Sequence, residues 1–238
     1  MSETKYTHIT REEAQKAFIS RVFSYLAAAL AITGVAAYWF GTSPDLLQYL
    51  INFETGSNTI LGWVVMLAPL GFVFMLGKMI RDFTVSQMTA ALVAFSALMG
   101  MSMSYIFLAY TASTIYSTFF ITAGTFGIMA FVGYTTKTDL SKFGKILMMA
   151  LIGLILASVV NWFMGSSMLD FGISCVGVLI FTGLTAYDMQ KIKNNAAEML
   201  ATGPEMATKL AMYSAVDLYL DFINLFLFLL RLFGGRRD

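Results

Sequence analysis

Two carboxylates stand in a run of hydrocarbon. The stretch Ala215–Leu230, AVDLYLDFINLFLFLL, carries Asp217 and Asp221 at i and i+4, and Asn224 three residues further on. At helical spacing all three share one face. If this segment enters a bilayer near Lys209, a rise of ~1.5 Å per residue puts Asp221 ~18 Å in, close to the middle, with Asp217 ~6 Å nearer the entry side. An ionised side chain there costs several kcal/mol and marks a functional position by default. A further acid, Asp188, closes the apolar run before Lys191 and Lys193 in FTGLTAYDMQKIK. Two buried carboxylates held close cannot both ionise cheaply, so they can share a proton. When ionised, Asp188 and Asp221 could hold a divalent cation such as calcium, which takes oxygen ligands. The chemistry on offer is proton-linked gating, cation passage, or both, with Asp217 and Asn224 as further polar groups along the path.

The elements that must position these acids are membrane helices. The chain has 238 residues, 58% hydrophobic and 12% charged, with a mean hydropathy of +0.73. A soluble domain carries roughly a quarter charged residues. Between Phe83 and Thr136 there is no Asp, Glu, Lys or Arg at all. That run exceeds the ~20 residues of one crossing and must hold two. A β-barrel would show short alternating segments instead. Apolar runs predict seven spans, at about 21–40, 59–77, 85–109, 114–134, 146–164, 171–188 and 211–232. The fold class is therefore an all-α integral membrane protein. Residues 1–20 form an N-terminal tail, 21–234 a single transmembrane domain and 235–238 a short C-terminal tail. Thr10 and Glu13 have capping-box spacing and could start a helix that leads into the first span through Phe18 and Val22.

Basic residues orient the bundle. All but Arg231, Arg236 and Arg237 of the 15 lie in the N-terminal tail or in the second-to-third, fourth-to-fifth and sixth-to-seventh connections. The positive-inside rule then puts the N-terminus in the cytoplasm. A full seventh crossing leaves the C-terminus outside, and a re-entrant one returns it inside. The full crossing is favoured, because about twenty apolar residues suffice. Close packing is expected at Gly124, Gly127 and Gly133 of the fourth span and at Gly100, Ser102 and Ser104 of the third, since small residues let membrane helices approach. Pro69 is expected to kink the second span, and Asn161 to make an interhelical hydrogen bond.

Several classes are excluded. One Cys, Cys175, and one His, His8, cannot assemble a zinc site, and no other cofactor is indicated. A net charge of +1 makes no case for nucleic acid. A proton-coupled transporter would often show an internal half-chain repeat, and none is visible. An intramembrane aspartyl protease needs a Gly-flanked second Asp, whereas LYLDF has bulky neighbours, so no enzyme is expected.

LTAYDMQKIK (184–193) and LYLDFINLFLFLLRLFG (218–234) resemble the two most characteristic segments of the Bax inhibitor family, also called the transmembrane Bax inhibitor motif family. GYTTKTDLSKFGKIL (133–147) and the preceding TAGTFGIMAF resemble its bacterial branch, which implies the bacterial inner membrane. The resemblance implies a seven-helix fold with the last helix central and the other six around it. It implies that Asp188 and Asp221 form a di-aspartyl pH sensor of a calcium leak, with calcium as the transported ion. It also implies a latch on the sixth-helix acid, for which Arg81, or less well Lys78, is the match. Relatives that restrain cell death, or that modulate a membrane-bound protease, imply the alternative: a regulatory protein acting by contact with a membrane-protein partner. Asp217 is an extra acid beyond the family pair. The stretch between Asp188 and Asp221, with its polar NNAAEMLATGPEMATK, is longer than a minimal loop.

Overall fold

The computed structural model describes residues 11–234. The expected cap at Thr10, His8 and the C-terminal Arg236 and Arg237 lie outside the described residues. Within them every regular element is a helix: α1 (Arg11–Thr42), α2 (Pro44–Leu47), α3 (Ile60–Asp82), α4 (Val85–Met103), α5 (Ile106–Ala109), α6 (Ala112–Thr135), α7 (Ser141–Met164), α8 (Ser167–Ala201) and α9 (Pro204–Phe233). Local chemistry sets the starts. Thr59, Thr111 and Ser166 each accept a first-turn amide, and Thr84 and Gln87 form a reciprocal capping box. In the α6–α7 turn the Ser141 hydroxyl and amide hold the Asp139 carboxyl below its ordinary range.

Six helices are long and apolar enough to cross a membrane, namely α1, α3, α4 with α5, α6, α7 and α8. Their outer faces carry Trp39, Trp63, Phe74, Phe131, Trp162 and Phe163, all exposed on the protein surface. Such a surface suits lipid, not water. The expected seventh span falls within α9, which is not one of the six and differs in kind. No residue from Met206 to Leu230 is exposed. Instead α9 packs against α1, α3, α4, α6 and α8.

Two ends of the bundle are distinct. At one, Gln15 of α1 donates to the Lys193 carbonyl (3.2 Å), and Arg21 to Thr208 (3.1 Å). There too Lys193 Nζ donates to the Tyr134 carbonyl (2.6 Å), and the buried Lys209 Nζ to the Phe83 carbonyl (3.0 Å). The first turns of α1 and α9, the C-terminal ends of α3 and α6 and the Lys193 region of α8 thus meet. At the other end Gly234 lies against Tyr110, and a cavity of about 590 Å³ is lined by Tyr110, Asn161, Ser166, Asp170 and Arg231.

Three expectations change. The polar stretch after Asp188 is not a loop: α8 runs on to Ala201, and only Thr202 and Gly203 (φ 97°) link it to α9. The polar stretch stays helical because Met189, Ile192 and Ala196 continue a buried stripe. Gly124 and Gly127 have open space beside them, whereas Gly100 and Gly133 sit where an added Cβ would strike the Thr33 and Ala186 carbonyls. Pro69, the expected kink position, lies inside α3 with helix on both sides. Asn161 Oδ1 accepts the Ser166 amide (3.1 Å), closing the α7–α8 turn instead of tying two helix faces together.

Candidate functional site: the carboxylates of the α8–α9 hairpin

Three successive residues of α8 face three different helices. An added Cβ at Gly133 of α6 would meet the Ala186 backbone, and one at Gly144 of α7 would meet the Tyr187 ring. Those close approaches fix the rotation of α8. Successive positions on a helix turn by about 100°, so Asp188 is left pointing to α9. On α9 the rotation is fixed by aromatics. Tyr219, wholly buried, stacks edge-on with Phe95 (5.3 Å) and shares a 2.7 Å hydrogen bond with Thr33 of α1. Phe222 meets Phe119 (5.6 Å) and Phe126 (5.5 Å) of α6. Asp221, between them, is turned to α8.

Asp188, Asp217 and Asp221 are gathered where α8 packs on α9, near enough for their charges to influence one another. Asp221 is 5% exposed, and its Oδ2 is buried with no hydrogen-bond partner among the described residues. Lys191 closes the group. Its Nζ is 3.8 Å from Asp188 Oδ1 and 3.7 Å from Asp217 Oδ2. The phenols of Tyr187 and Tyr213 are the other titratable groups around it. Among the described residues no group of three His, Cys, Asp or Glu side chains is gathered closely enough to hold a metal ion. The Asp188–Asp221 pair supplies carboxylate oxygens but no closed cage.

Other candidates sit elsewhere. Asn224 Nδ2 donates to the Leu220 carbonyl (2.8 Å), so its amide is bound within its own helix. Arg81 and Lys78 are exposed near the C-terminal end of α3, and the cation paired with Asp188 is Lys191. Sequence reasoning used Lys191 only as a topological charge. Its signal was the i, i+3 spacing from Asp188, which matters only if the helix continues. Beyond the acids the α8–α9 seam is apolar: Phe181 stacks on Phe228 (5.8 Å, 26°), and Gly177 makes room for the Phe228 ring.

The chain is similar to inner membrane protein YbhL of Escherichia coli, 41% identical over 92% of each chain. It is 42% identical to an uncharacterized protein of Rickettsia prowazekii, over 96% of this chain and 94% of that one. A third relative, an uncharacterized protein of Borreliella burgdorferi, is 43% identical over 93% of each. Residues 15–238 match the family described as inhibitor of apoptosis-promoting Bax1. With the helical membrane fold and the acid-bearing hairpin both in hand, that match makes the chain a member of the Bax inhibitor family.

Proposed function

We propose that the protein is a pH-gated cation leak pathway, that calcium is the ion carried, and that the Asp188–Asp221 pair is the gate. One observation carries this reading: Asp221 Oδ2 is buried without a partner, beside a second carboxyl. Buried polar atoms are nearly always bonded, and an orphan costs about 1–3 kcal/mol. A structural anchor would have been given a donor. A pair left open can instead exchange protons or touch a passing ion. Full ionisation sets repulsion within the pair, which Lys191 only partly offsets. Taking up a proton removes that repulsion and changes the α8–α9 contact.

The topology that suits this function has seven crossings with α9 innermost. It is supported by the burial of α9 and by the placing of its two ends, Lys209 beside Phe83 and Gly234 beside Tyr110. The end that gathers Arg21, Lys193 and Lys209 faces the cytoplasm by the positive-inside rule, which puts the C-terminus outside. A bacterial inner-membrane location follows the printed name of the Escherichia coli relative.

The test is calcium flux into liposomes holding the purified protein, from about pH 5 to 8, above the ~3.9 of a free Asp. The parent should show pH-dependent flux. Asp188→Asn and Asp221→Asn keep the shape, remove titration and should each flatten the profile, with Asp217→Asn doing so less. If both single variants keep the parent profile, the gate is refuted, and regulation of a membrane-protein partner by contact becomes the better reading.

A further inference from the structure

We propose that Lys191 is a tethered counter-cation: its ammonium occupies the mouth of the acid site between Asp188 and Asp217, and a divalent cation reaches Asp221 only by displacing it. The geometry is that of a bridging cation. Nζ stands almost equally far from carboxylate oxygens on two helices, 3.8 Å on α8 and 3.7 Å on α9. Both distances exceed the 2.7–3.2 Å range of a direct hydrogen bond, so the ammonium is held by charge and can be exchanged. Side-chain exposure falls from 43% at Lys191 to 26% at Asp217 and 16% at Asp188, and the whole of Asp221 is only 5% exposed. Lys191 is therefore the outermost of the group, with a flexible four-carbon stem on which to swing out. Behind it waits an unpartnered, buried carboxylate oxygen, the kind of acceptor a metal ion satisfies. Asp217, the acid beyond the family pair, gains a role as the second point that holds Lys191 across Asp188.

This inference rests on reading the acid pair as a cation site, and its test separates the two. The purified full-length protein is titrated with calcium chloride at neutral pH by calorimetry, and calcium flux is measured in liposomes. Lys191→Met keeps the stem and removes the charge. Because the side chain is substantially exposed, folding should be unaffected. Calcium binding should tighten, and flux rise, by at least about tenfold, because the ion no longer has to displace a tethered like charge. Lys191→Arg should stay near the parent. Lys191→Met combined with Asp217→Asn should fall back, since a neighbouring negative charge that attracts the ion leaves with the tether. If the parent shows a pH-gated leak but Lys191→Met changes neither binding nor flux, the counter-cation is refuted and the leak reading stands. If Lys191→Met tightens calcium binding while no protein passes calcium, the counter-cation stands and the leak reading falls.

Discussion

Removing the Thr33 hydroxyl should cost more than removing the Tyr219 hydroxyl to which it is bound, and the double change should cost less than the Thr33 change alone. The reason is a matter of counting protons. Thr33 has one hydroxyl hydrogen and gives it to the Ser96 carbonyl (2.9 Å), so in the 2.7 Å contact with Tyr219 the phenol must be the donor. Tyr219→Phe then deletes a donor and leaves Thr33 bonded to Ser96. Its cost is one net hydrogen bond, ~0.6–1.5 kcal/mol. Thr33→Val preserves shape but strands the phenol O–H of Tyr219, which is 0% exposed. A buried, unsatisfied donor costs ~1–3 kcal/mol. The Ser96 carbonyl loses little, because it lies within α4 and keeps its helical partner. With Tyr219→Phe added to Thr33→Val nothing is stranded, so stability should recover by ~1 kcal/mol. The assay is reversible unfolding in mixed micelles with rising denaturing detergent, for the parent, both single variants and the double. The reasoning is refuted if Thr33→Val is no worse than Tyr219→Phe, or if the double variant is less stable than Thr33→Val.

Further outcomes follow from the hairpin. Phe228→Ala opens the Phe181–Phe228 stack and should raise calcium leak at every pH while leaving the pH midpoint in place. Unchanged leak would place the barrier elsewhere. Gly203 holds φ at 97° in the two-residue link between α8 and α9. Gly203→Ala should therefore lower stability by about 1 kcal/mol or more in the same unfolding assay, since a Cβ is strained in that region.

Much of the helical layout was legible because hydrocarbon runs report directly on lipid. The acids were legible for the same reason: Asp221 is conspicuous where charge is expensive, and the i, i+4 spacing correctly put Asp217 beside it. Interhelical facing was not legible. Gly124, Gly127 and Gly133 look alike in sequence, yet only Gly133 meets a backbone, because the approach of α8 decides which face of α6 is crowded. Asn161 reads as interhelical glue, but its carbonyl oxygen found a free amide five residues on, at the α8 N-cap.

The apolar run closes at Asp188, but the helix does not. Hydropathy marks where a chain leaves the hydrocarbon and says nothing of where its helix ends. These are separate events. A helix stops when its buried stripe and backbone partners run out, and Met189, Ile192 and Ala196 carry the stripe well beyond Asp188. Only in a continuing helix does Lys191 come back over Asp188 one turn later. In an irregular loop it would have been a solvated charge, useful for topology and nothing else. The missed turn and the missed lysine are thus one omission. The cation that pairs with Asp188 is three residues away on its own helix, and it lies between Asp188 and Asp217 of α9.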